Sequence, residues 1–262
     1  MMNHVPIPTL ICIVCALLFA FLTPLLLFLY FKKKADVLPF FVGCLVMFVF
    51  AFVIESSLHS FILNSNIGQS ILNHARLYAL YGGFMAALFE EVGRLIAFKT
   101  WLKKYLPNNY NALMYGAGHG GLEVLVVLGI TSINNLIYLL LGDQLLATVP
   151  TEFHAQINDI LLTLRTTPAW MFLLGMVERV FAILLQISLS IFVWLSVKHK
   201  KPALFILAFG VHFLVDMITA YLAQIGFNSI ALEGVIGTMS ILVAFFAYKQ
   251  FHKYTKEEGV KQ

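Results

Sequence analysis

Charge is what this sequence has least of. Only 11% of its 262 residues are charged, against about 25% in an ordinary soluble domain. Mean hydropathy is correspondingly high, at +0.88. An ordinary water-soluble fold is excluded, because the long apolar segments have no charged face to offer water. Strict apolar–polar alternation is also missing, which excludes a transmembrane barrel and leaves helices as the way to satisfy backbone groups in lipid. No basic stretch precedes the first apolar run, so that run is not a secretory signal. Cysteine is scarce: Cys12, Cys15 and Cys44 all lie in apolar runs, and the Cys12–Cys15 pair has no second pair to complete a zinc site. No internal repeat or low-complexity segment breaks the chain, which is expected to be one membrane domain over 1–262. The net charge of +4 is confined to short clusters; it sets orientation in a membrane and does not imply nucleic acid.

What is present is a series of apolar stretches long enough to cross a bilayer, which takes about 20 helical residues. The sequence predicts an all-α polytopic bundle of about seven spans, near 7–31, 38–62, 77–98, 111–131, 169–197, 203–224 and 229–249. Basic residues cluster at Lys32–Lys34, at Lys99 with Lys103 and Lys104, at Lys198–Lys201, and at Lys249 with Lys253 and Lys256. With the N-terminus outside, seven spans place all four clusters in the cytoplasm, as the positive-inside rule requires. The expected location is the plasma membrane, multi-pass, with the C-terminus cytoplasmic and lipid as the surrounding partner. Residues 136–149 are apolar but too short to span and contain Asp143. They predict a short re-entrant or interfacial helix, followed by an amphipathic segment near Phe153–Leu164.

Against this apolar background, ionisable residues inside spans are functional candidates, because each is costly at membrane depth. Span three carries Glu90, Glu91 and Arg94, span four His119 and Glu123, and span six His212 and Asp216. Counted at 1.5 Å per residue from the basic end, Glu90, Glu91, His119 and His212 all fall about 12–14 Å deep. The i,i+4 pairs His119/Glu123 and His212/Asp216 each share one helix face. Gly116, Gly120 and Gly121 thin span four beside its histidine, either for close helix approach or to leave room for a substrate backbone. Glu55, His59 and Glu178 fall nearer the outside, where interfacial placement is expected. Glu178, Arg179 and Gln186 are further candidates to line the cavity.

Hydrolysis is the chemistry that such a cluster supports. Two histidines and a carboxylate hold zinc with a position open for water; His119, Glu123, His212 and Asp216 supply the donors. Without a metal, a glutamate acts as general base on water and an imidazole stabilises the oxyanion. Both routes use the same residues.

The order Glu90-Glu91-x-x-Arg94, then a Gly-rich His119-x-x-x-Glu123, then His212-x-x-x-Asp216 resembles the YhfC-like family of predicted intramembrane metalloproteases. That family belongs to the CAAX-protease and bacteriocin-processing superfamily, which also holds the PrsW-type site-1 proteases. The CAAX endopeptidases themselves have Asn where this chain has Asp216. The resemblance implies that Glu90 activates water with Glu91 as its partner, and that Arg94, His119 and His212 complete the catalytic set within a core spanning 77–224. It further implies zinc as a cofactor of the metal-dependent route and a membrane-associated peptide or protein as substrate. Two other classes compete: a proton-coupled transporter, since buried acids and histidines also build relays, and a non-catalytic regulatory or immunity protein. No inverted repeat supports the transporter.

Overall fold

The computed structural model describes residues 6–259 and is helical throughout, with no strand among them. Among the described residues nine longer helical elements follow one another, with short 3-10 turns at Lys103–Tyr105 and Thr151–Phe153: α1 Ile7–Phe31, α2 Leu38–Leu63, α3 Asn66–Leu72, α4 Ala75–Lys99, α5 Tyr110–Thr148, α6 His154–Thr166, α7 Trp170–His199, α8 Pro202–Gln224 and α9 Ser229–Gly259. Among the described residues, six of them are long and apolar enough to cross a membrane: α1, α2, α5, α7, α8 and α9. A seventh, α4, has crossing length at 25 residues but carries Arg76, Glu90, Glu91, Arg94 and Lys99. The protein is therefore a multi-pass membrane protein of about seven spans. Its outward faces agree, since Leu18, Phe21, Leu25, Ile206, Leu242 and Phe246 all stand exposed where only lipid satisfies them.

The core lies where α5 meets α7. The first three turns of α5 and the second half of α7 are almost wholly buried. Phe98 of α4 sits between Tyr115 of α5 and Trp194 of α7, edge to face, with ring centroids 4.6 and 4.9 Å away. Small residues bring the helices this close. A Cβ on Gly118 would overlap the Phe40 carbonyl of α2, and one on Gly116 would lie 2.7 Å from Ile187 Cα of α7. One on Gly121 would lie 2.7 Å from Pro24 Cβ of α1. The glycines of α5 thus serve close approach; the alternative, a gap for substrate backbone, is ruled out because neighbouring helices fill the space. Gly83 plays the same part between α4 and α8, where an added Cβ would meet the Phe213 carbonyl at 2.7 Å.

Two local features depart from simple helical counting. Residues Met47–Glu55 of α2 and Leu125–Ile130 of α5 are wound as π-helix. Wider turns of this kind rotate everything beyond them, and they recur at functional sites. The region 136–149, where a short separate helix is expected, is instead the outer part of α5, which runs unbroken for 39 residues. No proline interrupts it, and at about 58 Å it exceeds the roughly 30 Å of bilayer hydrocarbon. The predicted amphipathic segment is α6, which folds back on this extension with Leu161 seated over Gly142.

The four basic clusters lie at one end of the bundle, held together by hydrogen bonds. Asn108 Nδ2 donates to the Lys34 carbonyl at 2.9 Å, and Lys198 Nζ to the Pro107 carbonyl at 2.9 Å. Asn109 Nδ2 reaches Thr255 Oγ1 at 3.2 Å, and Lys201 Nζ donates to Tyr254 Oη at 2.8 Å.

Candidate active site

Helices α4, α5, α7 and α8 bring the intramembrane polar residues of the sequence to one place. Glu90, Glu91, Arg94, His119, Gln186 and His212 are all buried, and Glu91, Arg94 and His119 have no exposed surface at all. Glu90 is the hub. Its Oε2 accepts from His119 Nε2 at 2.9 Å and from Gln186 Nε2 at 2.8 Å, while Arg94 and His212 Nε2 each stand 4.0 Å away.

Glu91 faces the other way, as its turn of about 100° from Glu90 requires. Its Oε1 accepts from Arg94 Nη1 and, at 2.7 Å, from His212 Nδ1. That second bond fixes the imidazole. The other ring nitrogen, Nε2, faces Glu90 and Asp216 Oδ2, the latter 3.3 Å away; ionised carboxylates only accept, so this nitrogen donates toward them. His119 has the opposite arrangement: Nε2 meets Glu90, while Nδ1 is buried without a partner. Tyr115, one turn earlier on α5, stacks on the His119 ring.

Gln186 ties the cluster together. Its carbonyl oxygen accepts from Arg94 Nη2, so its amide nitrogen must donate, and it does so to Glu90 and to Glu123 Oε2 at 3.0 Å. Glu123 is held from its other oxygen by Arg179 Nη1 at 2.7 Å, and Arg179 also grips Glu178. One chain of polar contacts thus runs from Arg94 through Gln186 and Glu123 to Glu178. A small cavity of about 100 Å³ opens beside it, lined by Glu90, Glu123, Glu178, Gln186, His212 and Asp216 among others.

The donor chemistry suits a divalent ion in part. A histidine whose second nitrogen donates to a carboxylate is the usual second-shell arrangement around a bound metal, and His212 with Glu91 has that form. The spacing, however, does not enclose an ion. Among the described residues no group of three His, Cys, Asp or Glu is arranged to hold a metal. Both oxygens of Glu123 are already engaged, by Arg179 and Gln186.

Three comparisons bear on this arrangement. A family model described as "YhfC intramembrane metalloprotease" matches residues 19–237, a range that contains every residue of the cluster. The chain belongs to the YhfC family. A Bacillus subtilis (strain 168) member, carrying the description "Uncharacterized membrane protein YhfC", is 32% identical over 247 residues, covering 88% of this chain and 92% of its own. No solved structure matches the chain significantly. Membership rests on most of the chain's length.

Several residues near this cluster are not among the candidate site residues drawn from the sequence. Glu55 lies buried at the end of the π-helical stretch of α2, where it feels the charges of Glu90 and His212. His59 bonds it at 3.1 Å and Tyr81 Oη at 2.8 Å, so the two are not simply an interfacial pair. Thr219, Ile236 and Ser240 line the cavity from α8 and α9. Glu233 of α9 faces Glu178 and Arg179; as an acid inside an apolar span it carries the same signal that marks Glu90 in the sequence.

Proposed function

We propose that this YhfC-family protein is an intramembrane endopeptidase that hydrolyses a peptide bond of a membrane-associated substrate. The observation that carries the reading is the Glu90 hub: a carboxylate at the edge of a small polar cavity, aimed by Gln186 and faced by two histidines. In this reading Glu90 takes a proton from water in the cavity as the water oxygen attacks the substrate carbonyl carbon, and returns it to the leaving amine when the C–N bond breaks. The Nε2–H of His212, which lines the cavity, stabilises the oxyanion that forms, while His119 holds Glu90. Glu91 and Arg94 form a buried pair whose role is to hold the His212 ring and keep Glu91 ionised, and Asp216 sits where it orients the same ring from the cavity side. Glu123, Arg179 and Glu178 brace Gln186.

The family's description implies a metal such as zinc; the donors at hand are His212 and His119 with Asp216, Glu123 or Glu90, and among the described residues they do not enclose an ion as they stand. The reading places the whole of 1–262 in one membrane domain with its catalytic core within 77–224, and places the family in the CAAX-protease superfamily. It also puts the basic end of the bundle in the cytoplasm of a cell whose plasma membrane holds the protein, with the N-terminus outside; the gathering of all four lysine clusters at one end supports this.

The test is terminal-peptide mass spectrometry on membranes from cells making the wild type or Glu90→Gln. New peptide termini that depend on Glu90 are the expected result. Identical termini in both, with equal protein levels, would sink the protease reading.

A further inference from the structure

One wall of the cavity, formed by Thr219, Ile236 and Ser240, takes no part in the hydrolytic scheme. Helix α9 presents Glu233, Ile236 and Ser240 at i, i+3 and i+7, on one helical face, and Ile236 and Ser240 line the cavity. Ser240 is wholly buried, and its Oγ has no hydrogen-bond partner. A serine in a helix usually satisfies its hydroxyl on the carbonyl one turn back; this one does not, and the cavity is beside it. Thr219, on the α8 wall, also leaves its Oγ1 buried and unpartnered, and so does Glu233 its Oε2. Around these acceptors stand Glu178 and Asp216, each with roughly a third of its side chain exposed. The one cation among them, Arg179, is already shared between Glu123 and Glu178. A surplus of acceptors and negative charge thus surrounds a space of about 100 Å³.

We infer that this wall is part of a subsite for a primary ammonium group of the substrate, the end of a lysine side chain or a free amino terminus. The inference rests on the protease reading of the same cavity. An ammonium carries three donors and no acceptor, and the Ser240 and Thr219 oxygens with the carboxylates of Asp216 and Glu178 offer acceptors for all three. The volume admits an ammonium and the last carbons of its stem, not a length of peptide, so the substrate backbone would lie at the mouth with one cationic group inserted. The carboxylates of Glu178 and Asp216 supply the long-range attraction, strong because the walls are apolar.

Binding can be read without cleavage. The Glu90→Gln protein, in detergent, is titrated with fluorescent single-span peptides that differ at one point only. One set carries lysine or acetyl-lysine near the membrane boundary; a second has a free or an acetylated amino terminus. The expected result is that one free-amine member binds about tenfold or more tighter than its acetylated counterpart, as charge-assisted bonds of this kind imply, and which set discriminates identifies the source. Thr219→Val and Ser240→Ala each erase the discrimination, while Thr219→Ser retains it. Equal binding of free and acetylated peptides, no peptide binding, or discrimination that survives both variants overturns the inference. Peptides that bind by charge yet remain uncut by the Glu90 form would count against the protease reading and leave the subsite standing.

Discussion

Replacing Gln186 by leucine measures how dry and how charged the cluster is. The side chain makes three hydrogen bonds, accepting from Arg94 and donating to Glu90 and Glu123. If these are ordinary interhelical bonds of a membrane protein, each contributes about 0.6 kcal/mol, and the substitution costs about 2 kcal/mol in all. If they satisfy ionised groups that water does not reach, each contributes about 1.5–3 kcal/mol, and the total rises to about 5–9 kcal/mol before relaxation. Burial decides between them. Arg94 has no exposed surface and Glu90 very little, so the loss should lie near 5 kcal/mol, with the upper end softened where the cavity lets water solvate Glu123. The assay is reversible unfolding in mixed micelles of increasing sodium dodecyl sulfate, followed by tryptophan fluorescence, since Trp194 sits in the core beside α4 and α5. Gln186→Glu serves as the companion variant: it removes the amide donors and adds a third acid, and should be worse than leucine. A loss below about 2 kcal/mol for leucine would refute the reasoning, because the carboxylates would then be satisfied by water rather than by the amide.

Gly118→Val should prevent α2 and α5 from closing on one another, because even a Cβ there overlaps the Phe40 carbonyl; a destabilisation of about 3 kcal/mol or more in the same unfolding assay is expected. Gly210→Ala, where nothing lies near the added atom, is the control and should change stability by less than about 1 kcal/mol. Cysteine-specific labels placed at positions 33 and 256 should both be protected from impermeant reagent outside intact cells, and exposure of either overturns the proposed orientation. Metal analysis of detergent-purified protein should show about one zinc per chain in the wild type and none in a His119→Ala/His212→Ala double variant if the metal route operates. Metal-free wild type that still cleaves would assign the chemistry to Glu90 and the histidines alone.

The sequence makes the centre of this site legible because lipid leaves no innocent explanation for Glu90, Glu91, Arg94, His119 and His212. Depth and helical spacing bring them to one level, and the structure finds all five in contact. Their partition is another matter. Which acid takes which histidine depends on the rotation of α4 against α5 and α8, set by seams such as Gly83 on Phe213 that no single-helix pattern reveals. Glu55 illustrates a second limit. Its burial beside His59 depends on how α2 packs, and no glycine or proline in Met47–Glu55 announces the wider winding that ends at it. The run from Leu136 to Thr148 is a third case: its shortness as an apolar stretch suggests a separate element, yet uninterrupted helix-forming sequence carries α5 straight through. Glu233 was within reach of the same rule that finds Glu90, but α9 lies far along the chain and holds no second charged residue in its apolar part to draw notice.

The smallness of the cavity bears on timing. At about 100 Å³ it admits water and a side-chain end, so an extended peptide can reach Glu90 only while helices stand apart. The seams around α5 are glycine-tight, which leaves α8 and α9 as the moving edge: few residues of α8 are buried, and a groove of about 260 Å³ separates Leu207 and Val211 from Leu242 and Phe246. Turnover would then be governed by how often that edge parts, not by bond cleavage, as in many enzymes whose access is gated. A cleavable bifunctional thiol cross-linker joining Leu207→Cys to Phe246→Cys across the groove should lower the rate without altering Glu90's surroundings, and its cleavage should restore it; an unchanged rate would put the entrance elsewhere. A protease built this way would be slow by construction, and its selectivity would begin with which substrates can wait at the door.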